Sequence, residues 1–391
     1  KMSYLLGKYI SDEGKENIKN HKYVPGEYSA LDNLLNPFWI WIVEFLPKWM
    51  APNLVTLLGL IALGGSYLLM LAFDLSMTKP LPGFTYLLVA IGIWTFQTLD
   101  AIDGKQARRT GSSSPLGQLF DHGCDAVSWA FCNMSVVSFL GLGLSFSGIL
   151  SIYASIGPFF FTNLLEYYSG VYIYSVGLID ATTGQYLLIF FNFLPFLVGG
   201  DFYQGKVSDS WTFMPSILSD GYLFKDYAMI VVVYVGVIYS IILVFKTLNS
   251  VKGAYVKFVV TLQIIQHIGI YALMYLFDPN IPFIKDNAGL VYLSVVFLFV
   301  LVTCKLIICH MAKMDYNVIH FEFLVFAPYF YLQSQYNGTQ ESENTLKLVF
   351  YATFVVMFFI TFRFIQTCIN QLTEYLGIYC FSIEKRKEKS S

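Results

Sequence analysis

Apolar residues along this chain occur in long runs rather than at the spacing of a soluble amphipathic helix. A membrane-crossing helix needs about 20 consecutive, mainly apolar residues. Windows of that kind predict ten spans, of which the fifth and ninth are short or interrupted by proline: 53–73, 83–103, 118–142, 146–167, 183–200, 226–247, 254–277, 288–312, 318–334 and 345–370. The expected fold is an all-α polytopic integral membrane protein with about ten transmembrane helices.

The residues before the first span have a different pattern. The string "NPFWIWIVEFLPKWMAPN" interleaves three tryptophans with Glu44, Lys48 and prolines. Indole rings favour the membrane–water interface, so this pattern is typical of a helix lying among the headgroups. We therefore expect residues 1–52 to form a cytosolic, interfacial amphipathic segment.

Charge is scarce and unevenly placed. Only 13% of the residues are charged, about half of the roughly 25% usual for soluble domains. The net charge of −2 gives no indication of a nucleic-acid partner. Most lysines and arginines fall on one side of the predicted spans, the side of the N-terminal segment, the loop near Arg108 and the tail 371–391. This bias predicts that both termini face the cytosol.

One charged stretch stands between two apolar runs: "LDAIDGKQARRTGSSSPLGQLFDHGCDAV", residues 99–127. Asp100 and Asp103 lie three apart near the end of the second span, and Asp121 and Asp125 lie four apart near the start of the third. Both spacings place a pair of side chains on one helix face. Because the joining loop is short, we expect the helices to be antiparallel neighbours whose acidic faces meet.

Four carboxylates crowded at a low-dielectric boundary repel one another, and one or two divalent cations resolve the conflict. Carboxylate oxygens suit Mg²⁺ or Mn²⁺, which keep coordination positions free for substrate phosphates. Gly104 and Gly117 allow close approach of the backbone to a ligand, and Arg108 can neutralise a phosphate in a bidentate fork. For any single residue an ordinary ion pair at a helix junction is an equal alternative. For eight specified residues at about 6% each, chance agreement is roughly 10⁻¹⁰ per starting position.

The stretch resembles the signature of the CDP-alcohol phosphotransferases, and the longer string "DAIDGKQARRTGSSSPLGQLFDHGCD" resembles their choline and ethanolamine phosphotransferase branch. The strings "WMAPNLVTLLG", "EYYSG" and "KLIICHMAK" agree with it. The resemblance implies that Asp100, Asp103, Asp121 and Asp125 hold two Mg²⁺ ions, with Mn²⁺ as a substitute. It also implies a set of donor-contacting positions: Asn53, Gly104, Ala107, Arg108 and Gly117.

The general base is open between two residues. A neutral imidazole is better suited to accept a hydroxyl proton than a metal-bound carboxylate, which favours His122 over Asp125. The alternative role for His122 is to donate a hydrogen bond that orients an aspartate. Glu166, at the end of the fourth span, either contacts the amino-alcohol, orients the base, or is an ordinary interfacial carboxylate.

The implied reaction transfers phosphoethanolamine or phosphocholine from CDP-ethanolamine or CDP-choline to diacylglycerol. We expect catalytic helices over 53–200, further helices for lipid access over 201–370, and a basic cytosolic tail over 371–391. The resemblance implies a homodimer in the endoplasmic reticulum, with a mitochondrial membrane as the alternative. Rival functions are another donor or acceptor specificity, or a non-catalytic membrane subunit. A transporter would carry charges at the membrane midplane and inverted repeats, which the sequence lacks.

Overall fold

The computed structural model describes residues 8–21, 29–173, 175–176, 179–210, 216 and 221–384. The protein is built of helices, which confirms the predicted fold class. The exception in these ranges is a pair of two-residue antiparallel strands, β1 (Ser175–Val176) and β2 (Ile179–Asp180). The basic residues 385–391 of the predicted tail lie outside the described ranges, as do residues 1–7 and 22–28 of the predicted interfacial segment.

The α-helices of the described ranges follow in chain order: α1 (Asp12–Lys19), α2 (Ala30–Val43), α3 (Pro52–Phe73), α4 (Gly83–Thr110), α5 (Pro115–Leu140), α6 (Phe146–Ser169), α7 (Ala181–Val198), α8 (Val207–Ser210), α9 (Phe224–Ser250), α10 (Ala254–Tyr275), α11 (Pro282–Asp286), α12 (Ala288–Ala312), α13 (Ala327–Ser334) and α14 (Gln340–Leu376). Among them, nine are long and apolar enough to cross a membrane, namely all but α1, α2, α8, α11 and α13. They correspond to nine of the ten predicted spans, including the short fifth one.

The ninth predicted span, 318–334, is not a continuous helix. It consists of a 3-10 helix, Phe321–Phe326, followed by the short α13. Pro328 lies in the first turn of α13, where its missing backbone N–H and fixed φ suit a helix start. The ninth predicted span therefore consists of two short helices and is not one continuous helix.

The broken segment nevertheless passes from one side of the molecule to the other. Just before it, the carbonyl of Ala312 at the end of α12 accepts a hydrogen bond from the side chain of Asn17 in α1. At its end, the Gln333 amide donates to the carbonyl of Leu276, at the far end of α10. The returning α14 comes back to the N-terminal side, where Gln371 accepts from the backbone of Ile10 at 3.1 Å. The described N-terminal residues and the end of α14 therefore lie on the same side.

Helix α12 occupies the centre of the molecule. Of its most apolar 18-residue window, 94% is buried, compared with 22% for α9. A helix that is apolar on all sides is covered either by neighbouring helices or by lipid, and α12 is covered by neighbouring helices. The core around α12 contains residues from α3, α5 and α6 as well as from α9 to α14. One continuous apolar core thus joins the helices before and after residue 200.

Helix α2 lies against the end of α4. Its Trp39 is buried, while Trp41 and Phe45 are more than half exposed. The ammonium of Lys105 lies 5.4 Å from the Trp39 ring centroid. The helix starts with a capping box, in which Ser29 and Asp32 satisfy each other's backbone N–H groups. The exposed aromatic side chains agree with an interfacial position, which stays a prediction.

Candidate active site

The site is built around the turn that joins α4 to α5. Helix α4 ends at Gly111, whose φ of +65° is the left-handed conformation that glycine adopts without strain. Helix α5 begins after Ser114, whose hydroxyl accepts the N–H of Gly117. At 1.5 Å per residue, Asp103 and Asp121 each lie about 10–12 Å into their helices from this turn. The turn therefore brings them to the same depth.

Three carboxylates meet at that depth. Asp100, Asp103 and Asp121 each offer an oxygen, and these oxygens all lie within 4.8 Å of one another. Asp125 lies one turn further along α5 and is outside this group. The predicted meeting of the two acidic faces is thus present for three of the four aspartates, and the metal role of Asp125 stays a prediction.

The hydrogen bonding of these carboxylates is incomplete. Within the described part of the chain, one oxygen of Asp100 and one of Asp121 are buried without a hydrogen-bond partner. Asp103 differs, because the hydroxyl of Thr56 on α3 donates to its Oδ2. Buried polar atoms are nearly always paired in proteins, so orphaned carboxylate oxygens indicate a missing ligand. Clustered anionic oxygens are the donor set that hard divalent cations require, and the site fits such an ion.

The two neighbouring arginines have different roles. The Arg109 guanidinium donates to the carbonyls of Val43 and Leu46 and pairs with Glu44 at 3.1 Å, so it fastens α4 to the end of α2. Arg108 is exposed and has no ion pair or hydrogen bond to another described residue. Its Nη1 lies 3.6 Å from where a Cβ on Gly104 would be. A free guanidinium beside a glycine, one helical turn from the carboxylates, is available for a phosphate.

Asn53 and Gly117 lie close together at the starts of α3 and α5. A Cβ on Gly117 would lie 3.6 Å from the Asn53 Oδ1. Asn53 follows Pro52 at the start of α3 and is 8% exposed. The first turns of α3 and α5 therefore meet here, and unpaired backbone N–H groups at helix starts favour anionic ligands. Ala107, the remaining predicted contact, is half-buried on α4.

His122 and Glu166 lie on neighbouring antiparallel helices. The His122 ring is half-buried, with the Tyr172 ring 5.8 Å away between centroids. Glu166 is not isolated, because its carboxylate lies 3.5 Å from Nε2 of His310, a contact that no spacing in the sequence predicts. The His21 ring packs on His310 at 5.9 Å, and burial together with Lys313 lowers the pKa of His21. Glu166, His310 and His21 thus form a cluster of titratable side chains, and Glu166 lies on the helix that packs against the one carrying His122.

The family described as CDP-alcohol phosphatidyltransferase matches residues 49–196, a range that holds every predicted site residue. Choline/ethanolaminephosphotransferase 1 of Arabidopsis thaliana is 30% identical over 400 residues, covering 97% of this chain and 99% of the plant protein. The chain belongs to the CDP-alcohol phosphatidyltransferase family.

Other relatives agree with this membership. Cholinephosphotransferase 1 of Xenopus laevis is 29% identical over 387 residues, covering 97% of this chain and 92% of the frog protein. The human protein of the same name is 37% identical over 193 residues, covering 47% of this chain and 45% of its own length. The similarity to the frog and plant proteins spans nearly the whole chain, including the helices after residue 196. The predicted resemblance is confirmed, and the chain is an integral membrane enzyme of this family.

Proposed function

We propose that this enzyme transfers phosphoethanolamine or phosphocholine from CDP-ethanolamine or CDP-choline to diacylglycerol, releasing CMP. The observation that carries the proposal is the group of three carboxylates with orphaned oxygens at the mouth of α4 and α5. Family membership and the names of the plant and frog relatives support the donor and acceptor classes.

Asp100, Asp103 and Asp121 hold the divalent metal, with Asp125 as the predicted fourth ligand. The ion is Mg²⁺, at two positions, and Mn²⁺ substitutes for it. When bound, such ions neutralise the diphosphate and the charge that develops on the leaving CMP. Arg108 adds a bidentate contact to the same diphosphate, and Gly104, Ala107 and Gly117 leave room for the nucleotide. Asn53 contacts the donor from the start of α3.

His122 acts as the general base, with Asp125 as the alternative. It accepts the proton of the diacylglycerol hydroxyl while the hydroxyl oxygen forms a bond to the β-phosphorus. The bond from that phosphorus to the oxygen bridging the two phosphates breaks, and CMP departs with its electron pair. Glu166, paired with His310, orients the base or contacts the amino-alcohol.

The position of the site matches the different solubilities of the substrates. A nucleotide dissolves in water and diacylglycerol in hydrocarbon, so they can meet only where helix ends open to both. The excess of lysine and arginine on this side supports a cytosolic site. An endoplasmic reticulum location, with a mitochondrial membrane as the alternative, and a homodimeric state complete the proposal. The division at residue 200 into catalytic and lipid-access helices is part of it as well.

Two alternative functions predict different properties of the protein. A relative with another donor or acceptor would keep the site and change the substrate, whereas a non-catalytic subunit would lack one of the signature residues. All eight signature positions are occupied by the expected residues here, and three of the four aspartates meet, which favours an enzyme.

The test is a donor competition with purified full-length protein, Mg²⁺ and diacylglycerol. Labelled CDP-ethanolamine is the substrate, and unlabelled CDP-choline, CDP-diacylglycerol with inositol, or CDP-glycerol is added as a competitor. Chromatography separates the lipid products that each donor gives. Asp121→Asn protein, matched for melting temperature, supplies the background. Turnover restricted to the amino-alcohol donors supports the proposal. Turnover of another donor supports the first rival, and no turnover of any donor supports the second.

A further inference from the structure

The last described residues, 377–384, pass across the face of the site. The end of α14 is fixed by the Gln371 contact to Ile10. At Gly377 the chain turns sharply, because this residue adopts a left-handed φ of +64° as the helix C-cap. Ile378 then donates to the carbonyl of Thr373 and completes the turn. The direction in which residues 377–384 leave α14 is thereby set by the fold.

Two contacts join these residues to the site. The Asn53 amide Nδ2 donates to the Cys380 sulfur at 3.6 Å. The Phe381 ring meets the Phe120 ring edge to face, with 5.4 Å between centroids. Asn53 lies at the start of α3, and Phe120 directly precedes Asp121 on α5. The segment therefore covers the beginnings of α3 and α5, which carry the predicted donor contacts Asn53 and Gly117.

The hydrogen bond from Asn53 to the Cys380 sulfur is weak enough for a substrate oxygen to replace it. A thiol sulfur is a weak hydrogen-bond acceptor, whereas ribose and phosphate oxygens are strong ones. An amide that now donates to sulfur gains free energy by exchanging that partner for a substrate oxygen. Such an exchange leaves Cys380 directly beside the bound molecule.

The segment also carries exposed aromatic surface at this place. Phe381 is 45% exposed, and so is Tyr379. Nucleobases stack on aromatic side chains through their flat faces, and this contact needs no further polar partner. The cytosine ring is the part of a CDP-alcohol that such a surface recognises, since the diphosphate is directed toward the carboxylates.

We infer that residues 377–384 form part of the donor site and contact the cytidine of the bound CDP-alcohol, with Phe381 against the base and Cys380 beside Asn53. The inference rests on the proposed function and deepens it, because it assigns nucleotide binding to a segment far from the signature in sequence. It makes the C-terminal segment a determinant of donor affinity. The acceptor, which enters from the bilayer, does not depend on it.

Cysteine accessibility tests the contact. All six cysteines lie in the described ranges, and Cys380 is the one that is not buried. A water-soluble maleimide is applied to the full-length protein with Mg²⁺, with and without CMP, and labelling of the Cys380 peptide is followed by mass spectrometry. Burial raises the pKa of the thiol, so mildly alkaline buffer is used. With CMP at ten times its Kd, we expect labelling to slow by about tenfold. Unchanged or faster labelling at saturating CMP overturns the inference.

Substitution of Phe381 provides a second, kinetic test. Phe381→Ala should raise the KM for the CDP-alcohol by about threefold to tenfold, the usual contribution of an aromatic contact, while the KM for diacylglycerol stays unchanged. Phe381→Leu keeps the bulk of the side chain without the ring, so its KM for the CDP-alcohol should lie between those of the unsubstituted protein and Phe381→Ala. Phe359→Ala on the lipid-exposed face of α14 is the matched control. Normal turnover with an unchanged donor KM refutes the inference and leaves the proposed function standing, whereas absence of turnover in the unsubstituted protein refutes both.

Discussion

Replacing Thr56 by valine removes one hydroxyl from behind the carboxylate group and changes little else. Thr56 is 1% exposed and donates to Asp103 Oδ2, so its hydroxyl fixes the orientation of one predicted metal ligand. Valine has nearly the same shape and makes no such bond. A hydrogen bond to a charged group contributes about 1.5–3 kcal/mol, and loss of a partner behind a metal ligand typically costs about 10- to 100-fold in metal affinity or activity.

The assay is activity as a function of free Mg²⁺ concentration. For Thr56→Val we expect the half-maximal Mg²⁺ concentration to rise by about 10- to 100-fold, with most of the rate recovered at saturating ion. Thr56→Ser keeps the donor and should behave as the unsubstituted protein. Thr85→Val is the matched control, because Thr85 is equally buried but donates to Pro82 at the opposite end of α4. A folded Thr56→Val protein with an unchanged Mg²⁺ dependence would refute the reasoning.

Three other predictions concern the base, the diphosphate contact and the orientation. His122→Ala should lower kcat by about 10² or more in steady-state assays at saturating substrates; a loss confined to KM would instead assign the base to Asp125. Arg108→Lys should raise the KM for the CDP-alcohol by about tenfold, since lysine lacks the bidentate fork, and an unchanged donor KM would contradict that contact. In sealed endoplasmic reticulum vesicles with the cytosolic side outward, and with Cys380→Ser as the background, a membrane-impermeant maleimide should label Ser113→Cys but not Ser342→Cys, and the reverse pattern would invert the orientation.

Much of the membrane fold was predictable from apolar length alone. Nine spans are recovered because a helix in lipid must satisfy its own backbone, so length and apolarity determine it. The segment 318–334 has the length and apolarity of a span, but it consists of two short helices, with Pro328 at the start of the second and Glu322 of the first paired with Lys305. A hydropathy window averages over such local features and cannot register them.

The site was predictable where its residues share one short stretch. Spacing along α4 and α5 and a four-residue turn suffice to bring Asp100, Asp103 and Asp121 together. The support of Asp103 by Thr56, and the pairing of Glu166 with His310, depend on how distant helices pack. Spacing carries no signal for such contacts. Thr56 lies three residues after Asn53, on the same helix face, which is the one local indication that the sequence offered.

The attachment of Arg109 to the end of α2 has a consequence for how the enzyme sits in membranes of different composition. Its guanidinium binds the carbonyls of Val43 and Leu46, beside the exposed aromatic side chains of Trp41 and Phe45, and Arg108 directly precedes it. The depth of the reaction centre would then be set relative to the nearer leaflet and would not depend on the total thickness of the bilayer. An interfacial α2, as predicted from the sequence, would keep the distance from the lipid surface to Arg108 the same in thin and thick membranes.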